Sequence, residues 1–187
     1  MSRNYKFYNP DGLYFVSFAV VFWLDVFTRN EYKDIVLESL EFCQQKKGLE
    51  IIACCIMTNH IHLIFRIVKG QHPALLLGDL KRFTSKKIVS AIQENPQESR
   101  KEFLLEKFKQ AAQKSSNVTN YQFWRHDNKP IELWSNKVIK EKINYIHQNP
   151  VAAGLVFKPY DYVYSSAIDY CDEQGLLKNI VIFHNFD

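Results

Sequence analysis

The chain has 187 residues, of which 47% are hydrophobic and 14% aromatic, so it can bury an ordinary core and is not a disordered chain. Its formal net charge of +4 is too small to identify a nucleic-acid-binding protein on its own. This length and composition predict a single domain spanning residues 1–187.

The first half of the chain alternates between strand and helix patterns. Apolar runs and helical spacing predict a strand, a helix and two more strands, which cover 13–23, 29–47, 49–57 and 60–68. Only Thr58 and Asn59 separate the last two strands, which indicates a hairpin. Gly48 directly follows the helix, as is typical of a helix C-terminus.

A second helix is predicted over 75–93, and its polar side is basic. It carries four cationic residues, Lys81, Arg82, Lys86 and Lys87. Between positions 80 and 110, eight Lys or Arg residues stand against four Glu, and this excess of four equals the whole net charge. A solvated helix surface and a surface for nucleic-acid phosphates both explain such a cluster.

The next segments complete the predicted sheet. Residues 95–120 are polar and include a helical pattern over 102–113, which predicts an insertion at the edge of the domain. Alternating aromatic residues over 121–126 predict a fourth strand. The resulting order, β-α-β-β-α-β, is that of the split, ferredoxin-like arrangement. We therefore expect an α+β fold with one antiparallel sheet, followed by a C-terminal helix.

The C-terminal helix is predicted over 136–148, with Ser135 as its N-cap. Pro150 should end it, because proline disfavours helical geometry in the residue before it and supplies no amide hydrogen. An apolar stripe of this helix comprises Ile139, Ile143 and Ile146. Tyr145 and Asn149 are four residues apart, so they lie together beside the stripe, and Tyr145 is not a natural core position.

The cysteines and the apolar runs indicate the compartment. None of the four cysteines forms a Cys-x-x-Cys motif, and adjacent Cys54 and Cys55 face opposite sides of a strand, so no disulfide framework is predicted. The start of the chain has no apolar signal core, and the longest apolar stretch, 14–24, is shorter than the ~20 residues of a membrane span. We expect a soluble cytoplasmic protein with no membrane partner.

Two short motifs carry the chemistry. His60 and His62 alternate along a predicted strand, so both imidazoles can face one cation. Together with the Asn149 amide oxygen, water and a substrate phosphate, this donor set favours Mn²⁺ or Mg²⁺ over structural zinc. Tyr145 could then attack a phosphodiester, because a nearby cation helps a phenol to lose its proton.

Each motif also has a plainer explanation. One histidine of a His-x-His pair is commonly a hydrogen-bonded structural residue, and Tyr145 could be a half-buried structural tyrosine. Asn149 could equally be the C-cap of its helix. His147 lies two residues from Tyr145 and therefore faces elsewhere on the helix, so we do not count it as a ligand.

Four segments together resemble the REP-associated tyrosine transposases, the single-tyrosine branch of the HUH endonucleases. They are Met-Thr-Asn-His-Ile-His-Leu at 57–63, Leu-Lys-Arg-Phe-Thr-Ser at 80–85, Tyr-Ile-His-Gln-Asn-Pro-Val-Ala-Ala-Gly-Leu-Val at 145–156 and Asp-Tyr-Val-Tyr-Ser-Ser at 161–166. The resemblance covers nearly the whole chain apart from the polar insertion. The third segment is far more specific than the histidine pair.

The resemblance implies a metal-dependent endonuclease and strand transferase that acts on single-stranded DNA near hairpins. By position, His60 and His62 match the metal-binding pair, and Tyr145 matches the nucleophile that forms a 5′-phosphotyrosine. Asn149 matches the third ligand, where related enzymes usually have glutamine. Such an enzyme would work in the cytoplasm at the nucleoid, and the sequence is compatible with a homodimer as well as with a monomer.

Two other functions fit the same residues. A regulator would use the basic residues Lys81, Arg82, Lys86 and Lys87 to bind nucleic acid without cutting it. A metal-dependent phosphoesterase would use activated water, with Tyr145 only orienting the substrate. In the transposase, the four basic residues would track the DNA backbone, and Trp124 and Tyr121 are the candidates for stacking an unpaired base.

Overall fold

The structure is a computed structural model that describes residues 7–114, 120–126 and 129–184. The four strands are β1, Tyr14–Ala19; β2, Leu49–Ile56; β3, His60–Ile67; and β4, Ile131–Glu132. The four α-helices are α1, Asn30–Lys47; α2, Pro73–Glu94; α3, Lys101–Gln113; and α4, Asn136–Ala152. The strands form one antiparallel sheet in the order β2-β3-β1-β4. The predicted α+β, ferredoxin-like fold class is confirmed.

Different helices cover the two faces of the sheet. Side chains alternate along each strand, so Val16 and Phe18 of β1 join the larger core beneath α1, α2 and α3. Phe15 of β1 and Ile64 of β3 lie on the opposite face. There they pack with the apolar stripe of α4, which comprises Ile139, Ile143 and Ile146, as predicted. The face covered by α4 also carries His62.

The fourth strand lies later in the chain than predicted. Phe15 of β1 pairs with Ile131, whereas Val20 forms only an isolated bridge with Trp124. Phe15 and Val20 are five positions apart, but Trp124 and Ile131 are seven apart, so two extra residues interrupt the ladder. Trp124 instead turns its ring into the core, where its Nε1 donates a 3.0 Å hydrogen bond to Thr84 Oγ1. The predicted strand over 121–126 is therefore wrong.

Helix α4 continues past the predicted stop. Pro150 lies inside the last turn and is buried. The residues beyond it still close the helix, because Leu155 N donates to Pro150 O at 2.9 Å and Gly154 takes a left-handed φ of 70°. In this last turn proline removes only one backbone donor, and its burial against the sheet face offsets that loss. Asn149 is thus a helical residue and not a C-cap.

The polar segment over 95–120 contains helix α3. Leu104 and Phe108 of α3 are buried in the larger core, and Gln122 N donates to the Phe108 carbonyl at 3.0 Å. Residues 115–119 of the predicted insertion lie outside the described residues.

Two further predictions can be compared with the structure. All four cysteines are free, and Cys54 and Cys55 lie in the two different cores, which confirms that they face opposite sides of β2. Within the described ranges, no helix combines the length and apolar character needed to cross a membrane.

Candidate active site

The histidine pair lies at the beginning of β3, next to the end of β1. Ala19 pairs with His60, and Ser17 pairs with His62. Both imidazoles lie on the sheet face covered by α4, as the alternation of a strand predicts. Their Nε2 atoms are 3.0 Å apart, so the two rings converge on one point.

Asn59 fixes the orientation of the His60 ring. The Asn59 side chain donates from Nδ2 to Asp25 Oδ1 at 2.9 Å and to the Trp23 carbonyl at 3.3 Å. Its oxygen therefore points at His60 Nδ1, 2.7 Å away, and favours the tautomer that carries the hydrogen on Nδ1. In that tautomer the Nε2 lone pair is available to a metal, which is the usual role of a neighbour behind a ligand.

Packing against Phe15 and a hydrogen-bond contact at Nε2 hold the His62 ring. His62 is only 3% exposed and stacks on Phe15 with ring centroids 5.7 Å apart. Its Nδ1 is buried and has no hydrogen-bond partner among the described residues. Burial, followed by repulsion from His60 and Lys142, lowers the pKa of His62 to about 3. Burial also lowers the pKa of His60, so both rings are neutral near pH 7, as metal ligands must be.

Helix α4 brings Tyr145 and Asn149 to the same point. The Asn149 side chain lies beside His60 and His62, where its polar group partly opposes the lowering of their pKa values by burial. The Tyr145 ring lies edge-on to His62 with centroids 5.2 Å apart, and Tyr145 is 47% exposed. Lys142, one turn earlier, places Nζ 5.3 Å from the Tyr145 ring centroid. A neutral histidine pair and a solvent-accessible phenol therefore lie side by side.

The opposite side of α4 is anchored to the sheet. His147 is buried there, and its Nε2 forms a 3.0 Å hydrogen bond with Ser166 Oγ. Ser166 Oγ in turn accepts a 2.9 Å hydrogen bond from Cys54 N of β2. Burial lowers the pKa of His147 to about 4. His147 therefore faces away from Tyr145, as its spacing predicts, and ties α4 to the sheet.

The donor geometry fits an octahedral divalent ion. Two nitrogens in neighbouring octahedral positions, each about 2.1 Å from an ion, are about 3.0 Å apart, which matches the separation of the two Nε2 atoms. Two imidazoles and one amide also leave positions for water and substrate. Within 7–114, 120–126 and 129–184, no three His, Cys, Asp or Glu side chains are grouped as in a closed metal site. All the groups that meet here belong to one chain.

The four basic residues of α2 separate into two surfaces. Lys81, Arg82 and Lys86 line a cleft of about 650 Å³ between α2 and residues 120–126. Lys81 is partly buried in it, and its Nζ donates to the Arg125 carbonyl at 2.7 Å. Arg82 pairs with Asp79, and Lys86 is exposed. Lys87 instead lines a groove between α1 and α2.

The structure adds residues that sequence reasoning missed. Asp25 orients Asn59, and Trp23 contacts His60 with ring centroids 5.7 Å apart. Lys142 could have been found from its spacing of three residues before Tyr145. The sequence did not indicate a functional role for Trp23, because a tryptophan in an apolar run is typical of the core. Trp124, which sequence reasoning selected for base stacking, is only 5% exposed and is unavailable.

Comparison with known proteins gives a consistent result. Residues 24–122, just over half of the chain, match the family described as "Transposase IS200 like". The matched stretch contains the histidine pair and ends before α4. A protein of Haemophilus influenzae that is assigned by name to the REP-associated tyrosine transposases is 27% identical over 172 residues, which cover 89% of this chain and 85% of that protein.

The fold has a solved relative. The structure described as a REP-associated tyrosine transposase bound to a REP hairpin covers 100% of this chain and 98% of its own, with a TM-score of 0.63 at 16% identity. At this identity the match supports the fold alone. The family match covers more than half of the chain, so the chain belongs to the IS200-like transposase family and is an enzyme, and it is similar to a REP-associated tyrosine transposase.

Proposed function

We propose that this protein cuts and rejoins single-stranded DNA beside a hairpin, with Tyr145 as its nucleophile. The observation that carries the proposal is the meeting of four groups on one side of the sheet. His60 and His62 converge from β3, while Asn149 and Tyr145 arrive from α4. A structural tyrosine of the core would have a buried phenol, whereas Tyr145 is about half exposed and lies beside a neutral imidazole pair.

In the proposed reaction Tyr145 Oη attacks the phosphorus of a phosphodiester in line with the leaving oxygen. The bond from phosphorus to the 3′ oxygen breaks, which gives a 5′-phosphotyrosine and a free 3′-hydroxyl. The phenol proton passes to solvent, and the leaving oxygen takes up a proton. One phosphoester replaces another, so a different 3′-hydroxyl can reverse the step at a new junction without an energy cofactor.

His60, His62 and Asn149 are the residues that would hold Mg²⁺ or Mn²⁺. Such an ion, when bound, polarises a non-bridging phosphate oxygen and stabilises the charge that develops there. The protein's own part is to keep both imidazoles neutral and converging. Burial keeps both imidazoles neutral, while Asn59 and Phe15 hold the rings of His60 and His62, respectively, in their converging orientation. Lys142 adds a positive charge beside Tyr145, where a phosphate would approach.

The cleft between α2 and residues 120–126 is the proposed path of the DNA backbone. Arg82 and Lys86 line it and are exposed, so they can contact phosphates without losing a buried partner. Lys81 also lines it but is partly committed to the Arg125 carbonyl. Arg125 lines the cleft and lies over Trp23, which contacts His60, so a chain of side-chain contacts connects the cleft with the histidine pair.

Hairpin DNA is the proposed partner for two reasons. The solved relative with the same fold is described as bound to a REP hairpin. Cationic side chains line the cleft of this chain, which suits contact with the backbone of a folded strand.

The test is an adduct assay on a pool of DNA hairpins with randomised single-stranded flanks. Wild-type protein with Mn²⁺ or Mg²⁺ should give a protein–DNA adduct that survives a denaturing gel. Tyr145→Phe and His60→Ala should abolish the adduct. Tyr160→Phe is the matched control, because Tyr160 is 41% exposed and lies outside the site. It should leave the adduct unchanged.

The alternative functions give different outcomes in this assay. Cleavage without an adduct that persists in Tyr145→Phe would contradict the proposal and indicate attack by water. Binding without cleavage across the pool would instead indicate a regulator that uses the same surface.

A further inference from the structure

The turn between β1 and α1 exposes two aromatic side chains beside the histidine pair. Phe22 and Trp23 are 48% and 52% exposed. Both residues have positive φ angles, 56° and 55°, a left-handed conformation that bulky side chains rarely adopt. Two consecutive residues of this kind are strained, and such strain persists where the surrounding structure imposes it, commonly at functional sites.

The surrounding structure imposes it here from both sides. Val20 N donates to the Asn59 carbonyl, and Val21 N donates to the Phe123 carbonyl, each at 2.9 Å. The Trp23 carbonyl accepts from the Asn59 side chain, the same side chain that orients His60. The turn is therefore attached to the hairpin that carries the metal-binding pair. A fixed, exposed ring at this position is preorganised for a partner.

Cations surround the exposed rings. The guanidinium carbon of Arg125 lies 5.2 Å from the Trp23 ring centroid, and Lys114 Nζ lies 5.9 Å from that of Phe22. Arg125 also lines the proposed DNA cleft. A flat aromatic surface with cationic neighbours suits an unpaired nucleotide, because the base stacks on the ring while its phosphate meets the charge.

We propose that Trp23 is a stacking platform for the unpaired base next to the phosphodiester that is cut. The inference deepens the proposed function and depends on it. The Trp23 ring contacts the His60 ring, with centroids 5.7 Å apart. A base stacked on Trp23 would therefore place its own phosphate at the histidine pair. Trp23 is thereby a positioning residue for the scissile phosphate, with Phe22 extending the platform.

Binding measurements test this without requiring cleavage. The probe is the tightest-binding single oligonucleotide of the hairpin pool, used with and without its single-stranded flanks. Trp23→Ala should weaken binding of the flanked hairpin about tenfold, a loss typical of one base–aromatic stack. The hairpin without flanks should bind both proteins equally. Trp23→Phe should retain most of the affinity, because a phenyl ring still offers a face.

Trp134→Ala is the matched control, because Trp134 is 83% exposed and lies outside the cleft and the turn. It should leave affinity unchanged, and an equal loss in both tryptophan variants would overturn the inference. Thermal unfolding of Trp23→Ala should match wild type within a few degrees. If Trp23→Ala unfolds early, Trp23→Phe and the abasic series described next decide the question with proteins that keep the ring.

An abasic series locates the stacked base. Each flank nucleotide is replaced in turn by an abasic one, and wild type is compared with Trp23→Phe and Trp23→Ala. At one position the abasic substitution should weaken DNA binding by the wild-type protein about tenfold. The same substitution should remove the difference in affinity between the proteins. If the flanked hairpin is bound and cut but no position behaves in this way, the stacking inference is wrong and the nuclease stands. If no DNA of the pool binds, both are wrong.

Discussion

The two halves of the proposed active site are held in different ways. The strand half, His60 and His62, is fixed by Asn59 and Asp25 on one ring and by burial against Phe15 on the other. In the helix half, Tyr145 is about half exposed, and its ring meets Phe15 and His62 edge-on and Lys142 over its face. The backbone of that helix is nevertheless anchored from behind by His147.

This difference matches the two tasks of a nucleophile and a metal site. A metal-binding pair gains affinity from rings that are already oriented, because no ordering is needed when the ion arrives. A nucleophile that becomes covalently attached to DNA must have room for the strand before and after the reaction. A rigid strand half and an accessible helix half supply both. The comparison predicts that the halves can be damaged separately.

Tyr145→Phe should have the largest effect and damage only the helix half. Loss of the phenol oxygen removes the atom that forms the phosphotyrosine, so adduct formation should fall on the order of 10⁴-fold or more. Mn²⁺ binding, measured by calorimetry, should stay within twofold of wild type, because the histidine pair keeps its supports. A Tyr145→Phe variant that loses Mn²⁺ as well would contradict the separation of the halves.

Asn59→Ala should damage only the strand half. Without the Asn59 oxygen the His60 ring loses the partner that fixes its tautomer, and Mn²⁺ affinity should fall about 10-fold to 100-fold. Metal-free binding of the hairpin without flanks should change little, because that DNA does not reach the Trp23 turn, which Asn59 also contacts. Asp25→Asn is the milder variant, because its side-chain oxygen can still accept from Asn59 Nδ2, so it should keep much of the Mn²⁺ affinity. Equal losses in both variants would indicate that Asn59 acts only through the fold.

The contribution of His147, which anchors the helix half, to the free energy of unfolding should depend on pH. Burial lowers the pKa of His147 to about 4, below the ~6.5 of an unfolded histidine, so between these values the unfolded chain binds more protons. The free energy of unfolding should therefore fall by about 2 kcal/mol from this residue as pH drops from 7 to 5. The buried pair His60 and His62 contributes in the same direction.

His147→Gln separates this contribution from that of the pair. The glutamine cannot titrate, so the loss of stability between pH 7 and pH 5, measured by urea unfolding, should shrink by about 2 kcal/mol. The variant can be less stable than wild type at pH 7 without affecting the result, because only the difference between the two pH values is compared. An unchanged difference would show that folding does not lower the pKa of His147.

Local pattern was enough to predict the strands and helices that carry the site. The alternation of His60 and His62 and the four-residue spacing of Tyr145 and Asn149 are properties of a strand and a helix alone. Their convergence on one point was not contained in either spacing. It follows from the order of the sheet, which places β3 at the centre of the face that α4 covers.

The errors arose where tertiary contacts overrode local preference. Pro150 indicated a helix end, but burial and the Gly154 turn let α4 continue through it. Aromatic alternation over 121–126 indicated a strand, but the Trp124 side chain packs in the core. The strained turn at Trp23 has no sequence signal, because neither Phe nor Trp favours a positive φ and only the contacts with the β2–β3 hairpin and Phe123 impose it.

Lys142 links the two halves, and changing it should give small effects of opposite sign. Its ammonium lies beside Tyr145 and adds to the repulsion that lowers the pKa of His62. A positive charge here attracts a DNA phosphate but repels a metal cation. Lys142→Gln should therefore weaken hairpin binding about threefold and strengthen Mn²⁺ binding by about the same factor, both measured at low salt. Lys142→Arg keeps the charge and should change neither affinity. If both affinities of Lys142→Gln fall together, Lys142 stabilises the site through packing against Phe15 and not through its charge.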